Sequence, residues 1–130
     1  MTVTARNTNS QSPHSLLMVR PLNFGSNPET ASSNAFQKNT TETQRKSAVA
    51  EFDSAVELLQ ANDINVLVVD DTDQPVKPDA IFPNNWFTTH EDGTIVLYPM
   101  MATNRRLERR EEVIDLLKRL YKVGDVIDLT

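Results

Sequence analysis

Short unbroken apolar runs alternate along this chain with stretches whose apolar residues recur every third or fourth position. That switching predicts an α/β arrangement. The run "SLLMVR" (15–20), ended by Pro21, predicts a buried strand. From about Thr41 to Asn62 the period becomes helical, with Phe52, Val56 and Leu59 on one stripe widened by Ala48 and Ala55. Thr41 and Gln44 have the spacing of a capping box. "INVLVVD" follows as a β-branched run apolar on both sides, which predicts a strand covered on both faces. Two further strands are expected at Trp86–His90 and Thr94–Tyr98, joined by the hairpin loop Glu91-Asp92-Gly93. A second helix is expected from a cap at Asn104 to about Lys122. Its stripe is Val113, Leu116, Leu117 and Leu120, and Gly124 is placed to stop it. "DVIDLT" opens one more apolar run, read as a strand begun and not completed.

Between these elements lie polar stretches. Residues 1–14 lack any periodicity and read as a disordered tail. Residues 21–40 are turn-rich yet carry Phe24 and Phe36, which favours an ordered loop, and Asn23, Phe24 and Asn34 are candidates to close over a pocket. Length and composition fit one domain or a piece of a larger one, since 130 residues with 38% hydrophobic content can bury a core.

A net charge of -5 argues against nucleic acid and anionic membranes as partners. The longest apolar runs fall far short of the roughly 20 residues that span a bilayer. The polar N-terminus carries no secretory leader, so a cytoplasmic protein is expected. There is no cysteine, which removes disulfides, thiolate metal sites and cysteine nucleophiles together. No cofactor or metal-ligand spacing is present, and neither His14 nor His90 belongs to a catalytic set.

The stretch "PDAIFPNNW" (78–86) places Asp79 and the amides Asn84 and Asn85 beside residues that read as buried. Such groups must be hydrogen-bonded or stay wet. One reading is a local turn or bulge whose side chains bond their own backbone. The other is a pocket lip that offers one anion and two amides to a small polar ligand. In "NRRLERREE" (104–112) most charges read as a solvated helix face. Arg105 and Arg106 fall in the expected first turn, where cations oppose the helix dipole, and a ligand carboxylate in a bidentate pair would justify one of them.

Together, "MVRPLNFGSNPETASSNAFQ", "PDAIFPNNW" and "NRRLERREE" resemble the guanidino-group-modifying superfamily, which includes arginine deiminase, dimethylargininase and the amidinotransferases. The likeness leans toward the arginine deiminase-related branch with its citrulline ureidohydrolases and covers about 15–130. It implies a pentein fold, an α/β propeller of strand-and-helix modules around a central active site, of which residues 15–130 would be the N-terminal portion, roughly two modules. Dimethylargininase-like members line their pocket with Asp-x-x-Phe-x-Glu-Asp. Asp79 and Phe82 match it, and Asn84 and Asn85 stand where the acids would be. The substrate-carboxylate arginine falls on Arg105, with Glu108 completing an Arg-Arg-x-Glu setting.

The family's nucleophile is a cysteine near the C-terminus, assisted by a histidine and an acid from later modules. No catalytic residue is therefore carried over, and this chain alone is expected to be inactive. A guanidinium has only donors, whereas a ureido group adds a carbonyl acceptor that an asparagine NH₂ satisfies. The expected ligand is accordingly citrulline-like or arginine-like, with the ureido compound preferred. The expected function is that of the N-terminal part of a cysteine-dependent C–N hydrolase or amidinotransferase. The alternative is a non-catalytic truncated relative that binds ligands or self-associates through its unfinished sheet edge.

Overall fold

A computed structural model describes residues 12–33 and 41–130 of the protein. The tail expected over 1–14 lies mostly outside the described residues, as do Asn34 and Phe36. His14 is within them, and its carbonyl accepts from the Asn65 N–H at 2.9 Å.

The chain opens with β1 (Ser15–Arg20), crosses through α1 (Glu42–Ala61) and returns as β2 (Asn65–Asp70), which pairs with β1 in parallel. The α1 start is set locally. Thr41 accepts from the Gln44 N–H at 3.3 Å while the Gln44 side chain accepts from the Thr41 N–H at 2.8 Å. The helix then presents a thin apolar stripe. Val56 is buried and Phe52 and Leu59 are half-buried, but Ala55, expected on that stripe, is exposed. Arg20 at the end of β1 holds Asp53 on α1 with two bonds of 2.9 and 2.7 Å, pinning the helix across the strand pair.

β2 is not covered evenly on both faces as its composition suggested. Leu67 and Val69 pack on the main core and Val66 is buried, but Val68 is exposed. Only β1 flanks β2 among the described strands, so the other edge of β2 is unpaired there.

A 3-10 turn (Pro83–Asn85) leads into β3 (Phe87–Thr89), which pairs antiparallel with β4 (Ile95–Leu97). The hairpin loop is the expected one. His90 and Thr94 close it, Asp92 Oδ1 accepts from the Thr94 N–H, and Gly93 adopts φ +88°. A Cβ at 93 would lie 2.6 Å from the Lys122 carbonyl oxygen, so glycine is needed for space as well as conformation.

The second helix is a correction. The expected helix from Asn104 to about Lys122 is broken into a 3-10 turn (Thr103–Glu108) and a shorter α2 (Glu111–Leu120). Arg109 (φ -75°, ψ 86°) and Arg110 (φ -98°, ψ 115°) leave helical space between them. A long-range contact holds the break, since Arg110 Nη1 donates to the Asp70 carbonyl at 2.9 Å, and within the 3-10 turn Arg106 Nε donates to the nearby Met100 carbonyl at 3.0 Å. Glu111 and Glu112 then open α2, where acids suit the helix dipole. Arg105 and Arg106 are therefore not in the first turn of an α-helix, and no dipole penalty attaches to them.

The α2 stripe also shifts. Val113, Ile114 and Leu117 are buried, Leu116 is half-buried and Leu120 is exposed. Gly124 does not terminate the helix, which ends at an extended Tyr121. The Gly124 N–H instead donates to the Gly93 carbonyl at 3.0 Å. "DVIDLT" forms β5 (Val126–Asp128), paired in parallel with β4.

The result is a mixed α/β chain with two parallel crossovers, β1-α1-β2 and β4-α2-β5. One core joins them. Trp86, Phe87, Ile95, Met100, Val113, Ile114 and Leu117 are buried together, with Leu17, Leu67 and Val69 packed against them. Burial of each such large side chain contributes about 1.5–3 kcal/mol. The Trp86 and Phe87 rings, 4.5 Å apart and tilted by 58°, anchor β3 in this core. They thereby fix where the preceding stretch, 79–85, emerges at the surface. No helix among the described residues is long and apolar enough to cross a membrane.

Candidate functional site

Two of the carboxylates on the loop between β2 and β3, Asp71 and Asp79, have different fates. Asp71 is buried and faces Lys77, with 3.1 Å between Oδ1 and Nζ and 1% of each side chain exposed. Lys77 also donates to Thr72 Oγ1 at 2.6 Å and to the carbonyls of Pro75 and Thr72 at 2.9 and 3.3 Å. This closed pair shapes the loop and delivers Asp79 to a position above the core.

Asp79 borders an open hollow of about 200 Å³ lined by Thr30, Asp79, Phe82, Asn85 and Arg105. Of the residues singled out in the sequence, Asp79, Asn85 and Arg105 converge there. Asn84, next to Asn85 in the 3-10 turn, is exposed and lies outside that lining. The segment is a short helical turn rather than a β-bulge: the Asn85 and Trp86 N–H groups donate to the Phe82 and Pro83 carbonyls. Of the loop residues proposed to close the pocket, Asn23 donates to the Asp73 carbonyl at 3.3 Å, and neither it nor Phe24 lines the hollow; Asn34 lies outside the described residues. Thr30 occupies that side instead.

Arg105 is held by Glu108 through a two-pronged pair, Nε to Oε1 and Nη2 to Oε2, each 2.9 Å. Nη2 donates as well to Asn85 Oδ1 at 3.0 Å, and Nε lies 3.6 Å from Asp79 Oδ2. The bidentate edge of the guanidinium is thus occupied from within the protein, not by a ligand. Among the described residues Nη1 has no hydrogen-bonding partner and is the group left to face outward. Glu108 is nearly inaccessible, at 3%. Burial raises its carboxyl above the usual glutamate value, and the hydrogen bonds and charge of Arg105 oppose that rise.

The bond from Arg105 also orients Asn85. With Oδ1 engaged, the amide directs its NH₂ away from Arg105 as a free donor pair. On the other wall, Asn27 Nδ2 donates to Asp79 Oδ2 at 2.7 Å. Asn27 pairs reciprocally with Asn104, whose Nδ2 donates to Asn27 Oδ1 at 2.6 Å. Asn104, expected as a helix cap, therefore joins the wall of the site. Neither Asn27 nor Thr30 was singled out in the sequence; the signal at hand was the turn-forming Asn27-Pro28 dipeptide.

The hollow accordingly combines a carboxylate acceptor, an amide donor, a cationic donor and the half-exposed ring of Phe82. No group of three or more metal-binding side chains occurs among the described residues. Comparisons with curated proteins and with solved structures returned no match. The family model described as "N,N dimethylarginine dimethylhydrolase, eukaryotic" matches residues 20–130. That span includes every residue of the hollow, and the chain belongs to this family of the guanidino-modifying, pentein superfamily.

Proposed function

We propose that the hollow is the substrate-binding part of a hydrolase-like site for ureido or guanidino compounds, and that it prefers the ureido class, of which citrulline is the probe. The supporting observation is the bond from Arg105 Nη2 to Asn85 Oδ1 at 3.0 Å. It leaves Asn85 presenting N–H groups, which suit a ureido carbonyl and oppose a guanidinium, a group with no acceptor. Asp79 receives the ligand's N–H groups, Arg105 Nη1 meets its carboxylate, and Phe82 packs on its aliphatic stem. Asn84 stands outside the lining and is assigned no contact with the ligand. The mismatch for a guanidinium at Asn85 is on the order of 1–3 kcal/mol.

Dimethylarginine, which appears in the description of the matching family, supports the guanidino class as the second reading. In both readings the two crossover units supply part of a pentein propeller, and a cysteine outside these 130 residues supplies the nucleophile. The thiolate would attack the central carbon of the head group, the bond to a terminal nitrogen would break and release it, protonated, as ammonia or dimethylamine, and water would then hydrolyse the C–S bond and restore the thiol. The chain by itself binds without turnover.

Isothermal titration of the 130-residue protein with citrulline, arginine and N,N-dimethylarginine tests this. Citrulline is expected to bind tightest, by roughly five- to hundredfold. Tighter binding of either guanidino compound would overturn the ureido preference. Absence of binding by all three would overturn the assignment of the hollow.

A further inference from the structure

We infer that Asn27 is a positioning residue of this site: it sets the orientation of the Asp79 carboxylate without touching the ligand. The inference rests on reading the hollow as a ligand site, and it extends that reading to a residue outside the lining. Asn27 is completely inaccessible, at 0%. A side-chain amide has two donor hydrogens and two acceptor lone pairs. Here all four are engaged. Nδ2 donates to Asp79 Oδ2 at 2.7 Å and to Asn104 Oδ1 at 3.2 Å. Oδ1 accepts from Asn104 Nδ2 at 2.6 Å and from the Glu29 N–H at 3.1 Å.

These partners fix which end of the amide is which. Exchanging O and N would turn an acceptor toward the carboxylate of Asp79 and a donor toward the Glu29 N–H. The Asn27 carbonyl also accepts from the N–H groups of Thr30 and Ala31, so the loop that holds the amide is itself wound around this residue. Among the described residues Asn27 alone hydrogen-bonds the Asp79 carboxylate, because Arg105 Nε at 3.6 Å is beyond that range. Asp79 Oδ2 is thereby tied to the wall and Oδ1 is left for the hollow. A carboxylate without that bond rotates, and an acceptor rotated out of place loses directional contact with a flat head group.

A double-mutant cycle read by titration with citrulline tests the assignment. Asn27→Ala is expected to weaken binding roughly tenfold in the parent chain. In an Asp79→Ala background the same change should add nothing, because the group it positions is gone. A merely structural role would cost the same factor in both backgrounds and overturn the inference. Asn27→Asp keeps the shape but removes the donor and faces Asp79 with a second carboxylate, so it should weaken binding more than alanine does.

A second measurement holds even if Asn27→Ala does not fold. In the ligand-free chain, the side-chain NH₂ resonances of Asn27 should move markedly on Asp79→Asn, and resonances that stay in place overturn the inference. If the parent chain binds none of the three probes, the site reading falls and this inference with it. If the parent binds, Asp79→Ala weakens binding measurably and Asn27→Ala leaves it at the parent's affinity, the inference alone falls.

Discussion

Two clusters of opposite charges draw on the stretch that leaves β2, Asp71 with Lys77 within it and Asp79 with Arg105 and Glu108 of the later 3-10 turn, yet they are built differently. The first is sealed, with 1% of each side chain exposed: Lys77 Nζ and Asp71 Oδ1 are spent on their own loop, and Asp71 Oδ2 is buried without a partner, out of reach of solvent. The second is sealed on one side only. Glu108 is buried beneath it, whereas Asp79 and Arg105 keep 16% and 15% of their side chains open to the hollow. The comparison teaches that charge and burial do not by themselves mark a binding site. A site needs unspent hydrogen-bonding capacity facing a space, and here only the second cluster has it.

The largest expected effect separates the clusters by stability. Lys77→Met leaves the Asp71 carboxylate buried and uncompensated, which should cost about 3–5 kcal/mol in chemical denaturation. Asp79→Ala removes a partly exposed acceptor and should cost about 1–2 kcal/mol while weakening citrulline binding at least as much as Asn27→Ala does. Equal costs for the two variants would erase the distinction between them.

A smaller effect concerns pH. The Glu108 carboxyl is held above its ordinary 4.5, chiefly by burial. A carboxyl raised in the folded state binds its proton more tightly there than in the unfolded chain. Its stabilisation is complete below the unfolded value and is lost as pH climbs through the folded one. The Tm of the parent relative to Glu108→Gln should therefore improve as pH falls toward 4.5 and level off below it. Asp53 and Asp128, lowered from 3.8 by their hydrogen-bonding partners, act in the opposite sense at lower pH. Both proteins share them, so they cancel in the difference. A Tm difference that narrows over this window would count against the burial of Glu108 as the cause.

The smallest effect tests the edge of the hollow. Asn84→Ala should leave citrulline affinity within about twofold of the parent, because this exposed amide lies outside the lining. A tenfold loss would move the boundary of the site to include it.

What was legible in the sequence is what is decided locally. The capping box of α1, the closed hairpin at Gly93 and the strand ended by Pro21 all depend on neighbours a few positions away. Asp79, Asn85 and Arg105 were legible through the family resemblance and do come together. The break between Glu108 and Glu111 was not, because the Asp70 carbonyl, far back along the chain, holds Arg110 at the interruption. Asn27 was not legible for the same reason. Its partners lie 52 and 77 positions away, and no periodicity reports such a contact.

Those separations bear on the order in which the molecule assembles. The hairpin closes between His90 and Thr94, a loop small enough to form within microseconds of collapse. Asn27 must find Asp79 and Asn104 across most of the chain, and the entropy of closing so long a loop delays such contacts relative to short-range ones. A folding intermediate would then possess the packed β3-β4 nucleus while lacking any receptor. Citrulline added during refolding should slow unfolding of the finished protein without hastening its formation.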